Sequence, residues 1–428
     1  MPEQSLQYLP ATPLPDAENG VRITKIETVV PDEWMPGLLL VRVHTNAGII
    51  GHGETYYGPG AVDSLIHDWM AHRLLGADAL AVESHWRFFY ERFANFGVRG
   101  AELRAISAID LALWDILGQV CNQPIYRLLG GPVREKVAVY NSCGSPNYGR
   151  AVSSEVGMKQ STFIWTGYGG RGEPGPLGDS YNLFYSPGDL AQELVDEGYT
   201  AVKTWPFDFA AHAHGGTMIS LKDLETAIRP LREIRDRVGD KLEILVDGHG
   251  FFLLPAALRI AEALEEIKPL WLEDILKTDN IETLADFRRQ SRMPISVSEM
   301  LLSRPDFARV LETKAADYIM IDPTWVGGIS ETLRIANMAQ AYNIPVTMHD
   351  CTGPLTVFAG LHVSAANAAC CFQETVRAHV RTFYDSLIAP NVVIQNGYAD
   401  LPEGVGLGAV LNPALFDGTR ASYRVSTL

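Results

Sequence analysis

EILVDGH (residues 243–249), PLWLED (269–274) and PISVSE (294–299) are three short apolar runs that each deliver an acid at the same place: Asp247, Glu273 and Glu299, spaced 26 residues apart in both steps. That spacing is the length of one strand-plus-helix unit. In a closed barrel of parallel strands each unit advances by one strand, so acids at equal height project from neighbouring strand ends onto the C-terminal rim. A single acid there is also the ordinary cap of the next helix or the partner of a nearby arginine. Three in register call for more. Like charges about 4 Å apart repel by roughly 4 kcal/mol per pair at an effective dielectric of about 20, so the trio requires a cation. All-oxygen donors select a hard one, Mg²⁺ ahead of Zn²⁺. The register continues, because Asp322 closes YIMID, His349 closes PVTMH and Glu374 closes CFQE at steps of 23, 27 and 25 residues.

Composition permits such an architecture and excludes others. A chain of 428 residues that is 47% hydrophobic can bury a barrel core and a smaller domain besides. The formal net charge of −16 argues against nucleic acid and anionic membrane surfaces as partners. It also opposes an anionic substrate, which makes a local metal and lysine more necessary. Cys121, Cys143, Cys351, Cys370 and Cys371 form no C-x-x-C pair, which fits reduced thiols and a cytoplasmic location. Residues 1–19 lack the basic and apolar regions of a secretory signal and read as a flexible lead. No apolar run approaches the roughly 20 residues that span a bilayer.

The chain divides at changes of pattern. Residues 20–131 open with alternating strands, ITKIETVV, LLLVRVHT and IIGHGETY, and continue in helices, the longest being ELRAISAIDLALWDILGQV. This is an α+β domain. From 132 to 389 strands and helices alternate strictly, with VAVYNSC, AVKTWP, EILVDGH, PLWLED, ISVSE, YIMID, VTMHD and CFQE as eight strands of a barrel. Residues 390–428 return to short pieces expected to pack back on the first domain. One connection, residues 144–185, is far longer than the usual βα loop of about 2–6 residues, which reads as a lid rich in glycine and tyrosine. Its Gly167 to Gly172 stretch satisfies G-x-G-x-x-G, but no strand leads in and Pro174 and Pro176 follow where a helix should begin, so it is no dinucleotide site.

With AISAIDLALWDILGQVCNQPIYRLLGG, the acid triplet with WLED, IDPTWVGGISE and LPEGVGLG in this order, the chain resembles the enolase superfamily in its mandelate racemase subgroup, from about residue 20 onward. The resemblance implies a (β/α)7β barrel of TIM type carrying an N-terminal α+β capping domain completed by the C-terminal tail, with the active site between them. It implies Mg²⁺ held by Asp247, Glu273 and Glu299. It implies a base, His349, oriented by Asp322, and a substrate-carboxylate contact from Glu374. The common chemistry of that family is removal of the proton beside a carboxylate, with the metal stabilising the charge that develops. Relatives are commonly dimers or larger, so a homo-oligomer is expected.

Two departures bear on the reaction. Racemases of the subgroup carry Lys-x-Lys after the second barrel strand, whereas Lys203-Thr204-Trp205 stands here, and an indole accepts no proton. Two-base racemisation is thereby disfavoured, and Lys203 is assigned to charge stabilisation. His249 follows Asp247 by two residues, and since alternate residues of an extended strand point the same way it is expected to face the metal site. An Asp-x-His resembles the galactonate-type acid-sugar dehydratases of the superfamily, where the histidine is a general acid. One base, one acid and one metal describe loss of water from a sugar acid to give a 2-keto-3-deoxy product. Trp34, Tyr140, Asn141, Trp205 and Asp208 are the candidates for contacts to the substrate. An epimerase, racemase or cycloisomerase on the same scaffold is the alternative, and a non-catalytic metal-binding barrel a second. Zinc amidohydrolases need His-x-His after the first strand, where Tyr140-Asn141-Ser142-Cys143 stands.

Overall fold

The computed structural model describes residues 20–148 and 174–428, so the lead of residues 1–19 and most of the long first loop, including Gly167 to Gly172, lie outside the described residues. The front of the chain forms three antiparallel strands, β1 (Ile23–Val29), β2 (Leu38–Thr45) and β3 (Ile50–Tyr56). The helix Ala101–Val120 lies across them, its apolar face covering the sheet. The approach is so close that a Cβ at Gly53 would stand 2.0 Å from the Ala108 carbonyl oxygen, so only glycine fits.

Eight parallel strands then follow in order: β4 (Lys136–Ser142), β5 (Ala201–Thr204), β6 (Glu243–Asp247), β7 (Trp271–Glu273), β8 (Ile295–Val297), β9 (Tyr318–Ile321), β10 (Val346–Met348) and β11 (Cys370–Thr375). The last pairs with the first, Glu374 opposite Tyr140, and closes the barrel. Both faces of each strand are covered, which is why they read as continuous apolar runs. Outward residues such as Val246 and Leu272 pack under the helices. Inward residues Tyr140, Ala201, Leu245, Trp271 and Met320 fill the interior, with Phe372 against them.

One inward position further along each strand lies the rim. Alternation along the strand therefore takes Ala201 to Lys203, Leu245 to Asp247, Trp271 to Glu273 and Phe372 to Glu374. In the described part of the first loop, a helix Asp179–Tyr185 precedes the one begun at Pro187. Arg377 fastens it with a bidentate grip on the Asp179 carboxylate at 2.9 and 2.7 Å.

The tail serves both units. β12 (Ile388–Ala389) pairs with β15 (Val410–Leu411), β13 (Ile394–Gln395) pairs with β14 (Tyr398–Asp400), and β14 runs antiparallel to the start of β4. β16 (Arg424–Thr427) adds itself to the outer edge of β1 and makes the front sheet four-stranded. Among the described residues no helix is long and apolar enough to cross a membrane.

Candidate active site

A small cavity opens over the barrel rim. Asp247, Lys203, Glu299, His249, His349 and Glu374 line it from the barrel, joined by Ser142, Tyr148, Trp205, Trp325, Cys351 and, from the front domain, Tyr57. Its centre is charged. The Lys203 ammonium lies 2.5 Å from Glu273, 2.9 Å from Glu374 and 3.5 Å from Asp247, and only 2% of the residue is exposed. Burial opposes its charge, but these carboxylates hold its pKa well above the ordinary lysine value.

The acids around it are unequal. Burial, with the charges of Asp247, Glu299 and Glu374 adding, pushes Glu273 up to about 8 against the pull of Lys203. Asp247 goes the other way. Its burial is outweighed by His249 and Lys203, which hold it below the usual carboxylate range. Asp274, next to Glu273, is buried and accepts from the Ser298 hydroxyl at 2.5 Å, and burial raises it well above that range.

A cluster of three carboxylates converging on one point was the sequence expectation, and the arrangement differs. Among the described residues no group of three or more His, Cys, Asp or Glu side chains is placed to hold a metal. Lys203 draws Glu273 and Glu374 to itself instead, since an ammonium amid buried carboxylates takes the nearest oxygens. The donor set nevertheless fits a hard divalent cation. Glu299 Oε2 is buried without a hydrogen-bond partner, and Glu273 is forced toward its neutral form where one ammonium serves so many acids.

Two histidines face this centre. His349, after β10, sets Nδ1 2.8 Å from Asp322 Oδ2, and its Nε2 lies 3.9 Å from Glu374. Burial opposes the imidazolium, but Cys351, Glu374 and the Asp322 bond hold it well above the usual histidine value. Trp325 packs on this ring at 5.0 Å and on Tyr57 at 5.4 Å, with the Arg104 guanidinium over its face, and so forms an aromatic wall. His249, after β6, puts Nδ1 3.0 Å from Asp208 and Nε2 3.5 Å from Asp247. Burial works against its charge and these two acids raise it, to about 9. The extended-strand argument that aimed it at the metal fails, however. β6 ends at Asp247, and His249 has a φ of 48°, so a left-handed turn, not strand alternation, swings its ring inward.

Residues 188–415 match the enolase C-terminal domain-like family, and residues 28–130 match the N-terminal domain of the mandelate racemase / muconate lactonizing enzymes. The chain belongs to the enolase superfamily, in its mandelate racemase subgroup. A solved enolase of this subgroup from Agrobacterium tumefaciens is 37% identical with a TM-score of 0.80, covering 95% of this chain and 99% of that one. The D-xylonate dehydratase of Haloferax volcanii is 29% identical over 403 residues, 92% of this chain and 88% of that protein. The arabinonate dehydratase of Saccharolobus solfataricus is 27% identical over 391 residues, 89% of this chain and 90% of that protein. The latter two are sugar-acid dehydratases by name.

Within the superfamily framework several residues expected to touch substrate stand elsewhere. Tyr140 points inward one layer below the rim, where its hydroxyl donates to Glu374 at 3.1 Å. Asn141 points outward and is occupied by Asp179 and the Arg377 backbone. Ser142, the next inward residue, takes the cavity position the alternation assigns. Asp208 is buried against His249, and Trp34 packs beneath Arg420 at 5.8 Å on the front domain. Trp205 does line the cavity, its ring stacked on Tyr148 at 5.7 Å. Cys351 escaped the sequence reading, although its position two residues past His349 marked it.

Proposed function

We propose that this carbon–oxygen lyase (hydro-lyase) dehydrates a sugar acid in a Mg²⁺-dependent reaction, removing the proton beside the carboxylate and expelling the 3-hydroxyl to give a 2-keto-3-deoxy sugar acid. The observation that carries the reading is the pair of histidines, each beside a carboxylate, which flank one cavity with a buried lysine between them. His349 takes the C2 proton on Nε2, while Asp322 at Nδ1 stabilises the imidazolium that results. Negative charge then builds on the substrate carboxylate, where the Lys203 ammonium meets it without reorganisation. His249, held protonated by its acidic neighbours, gives its proton to the departing hydroxyl, and the enol left behind ketonises. Glu374 holds Lys203 and closes the carboxylate end of the cavity. Trp205 and Trp325 offer flat apolar faces on which the carbon skeleton can lie. Asp247, Glu273 and Glu299 would hold Mg²⁺, which would supply Lewis-acid charge to the substrate carboxylate.

The dehydratase names of relatives aligned over about nine-tenths of the chain support this class of reaction. The test is a screen of purified protein with Mg²⁺ against mono- and diacid sugars in deuterated water. A 2-keto product is expected, whereas exchanged substrate with no new carbonyl points to an epimerase. His349→Asn should abolish both C2 exchange and elimination. His249→Asn should leave exchange running while elimination fails, and equal loss of both removes the acid from the scheme.

A further inference from the structure

We propose that Asp208 is a positioning residue that forms with His249 a second carboxylate–imidazole dyad, set across the barrel from Asp322 and His349, and that it presents His249 Nε2 to the substrate. The proposal rests on the reading of His249 as the proton donor.

The two pairs share one plan. In each, Nδ1 stands beside an aspartate, hydrogen-bonded at 2.8 Å for His349 and within ion-pair distance at 3.0 Å for His249, and Nε2 is left facing the carboxylate-lined cavity. An imidazole whose Nδ1–H is fixed by a carboxylate has its tautomer and ring orientation decided, which leaves the other nitrogen for chemistry. β6 and β10 are the third and seventh strands of eight, so the two imidazoles approach a bound molecule from opposite sides of the barrel.

Asp208 is placed for little else. It begins the helix Asp208–His214 that follows β5 and is 1% exposed. Among the described residues His249 is the sole cationic partner within ion-pair distance of its carboxylate. Burying a carboxylate is costly unless a charged or hydrogen-bonding partner compensates, and here the partner sits on the next strand. The His249 ring is held laterally by Trp205 at 5.9 Å and Phe251 at 5.7 Å. Its left-handed backbone, φ 48°, is the strained conformation such a fixed ring requires. Asp322 was legible because it closes a strand. Asp208 closes none, and only the folded chain brings it to the histidine.

The test uses the full chain with Mg²⁺ and Asp208→Asn. First, nitrogen-detected imidazole resonances of His249, followed to high pH where the ring is neutral and assigned by their absence in His249→Asn, should show the remaining proton on Nδ1 in the wild type and a mixture of tautomers in Asp208→Asn. Unchanged resonances overturn the dyad, and this arm needs no substrate. Second, on the sugar acid that the wild type dehydrates, Asp208→Asn should lower the elimination kcat by roughly 10- to 100-fold with little change in KM, while C2 exchange stays within about threefold. Equal loss of exchange and elimination overturns the assignment. Adding Asp208→Asn to His249→Asn should cost nothing further, and a full additional loss would show that Asp208 acts independently. Asp208→Glu, which keeps the charge, should recover part of the rate and serves if the amide variant folds poorly. A wild type without exchange or elimination on any acid sugar refutes the dehydratase reading, whereas the resonances still decide the dyad.

Discussion

Two groups among the buried carboxylates of the described residues are satisfied in opposite ways. At the barrel rim Asp247, Glu273 and Glu374 surround the Lys203 ammonium, so that charge answers charge. At the seam with the front domain Glu54, Asp110 and Asp115 are answered by neutral donors. Glu54 accepts from the Thr356 amide and hydroxyl at 2.6 and 2.7 Å, Asp110 from the Ser330 amide and hydroxyl at 3.1 and 2.5 Å, and Asp115 from the His52 and Leu407 amides at 3.0 and 2.9 Å. Burial pushes each of these three up to about 7. Seam acids sew front strands and helix to barrel helices and tail. Rim acids gather field at one point, where it can act on a substrate. In these two groups the same residue type, equally hidden, is answered by dipoles at the seam and by an ion at the rim.

The contrast breaks most sharply at Lys203. Lys203→Met should lower kcat/KM by roughly 10²- to 10³-fold, because the rim loses its only built-in ammonium among the described residues. A variant retaining wild-type rate would remove the lysine from the mechanism. Next comes Glu54→Gln, read through pH. A carboxyl whose folded pKa is raised contributes fully below its unfolded value of 4.5, and that contribution is lost as pH climbs through about 7. Wild-type stability should therefore fall relative to Glu54→Gln by roughly 3 kcal/mol between pH 4.5 and 8. Urea denaturation of both proteins at the two ends of that range measures it, and parallel curves would refute it.

Metal removal sharpens the rim side. Adding Mg²⁺ at about a hundred times its Kd should stabilise the chelator-treated wild type by roughly 2.7 kcal/mol, seen as a rise in Tm. Glu299→Gln should lose most of that rise, and an undiminished rise would exclude Glu299 as a donor. The smallest effect belongs to Asp115→Asn, where an amide can no longer accept from both backbone donors. A loss of about 1–2 kcal/mol is expected with kcat within twofold of wild type. A large drop in kcat would erase the distinction between seam and rim.

Much of the rim was legible because strand ends repeat at a fixed interval, and a repeat survives without knowledge of any single contact. Asp322 and His349 stood out the same way. What lay beyond the last strand residue did not. His249 was reached by an argument from alternation that its left-handed turn contradicts, and Asp208 was taken for a substrate contact because nothing in the letters reports that a helix start folds onto the neighbouring strand. Tyr140 lies one inward layer below the rim and Asn141 one residue short of it on the outer face, since a strand string does not announce where its rim begins. The seam acids were invisible for another reason. Within AISAIDLALWD nothing in the letters marks Asp110 and Asp115 as buried, and both are. Their partners lie far away, and Gly328 is glycine because a Cβ there would stand 2.2 Å from the Asp110 carboxylate.

β16 lies beside β1, with Lys25 opposite Thr427 and Thr28 opposite Arg424. During synthesis the front sheet is therefore born with a bare edge, and its missing strand emerges only after every barrel strand has been made. Closing so long a loop is slow, and an open edge invites pairing with other chains meanwhile. The nascent protein is most vulnerable to aggregation late in translation, and its two halves reach their final form together.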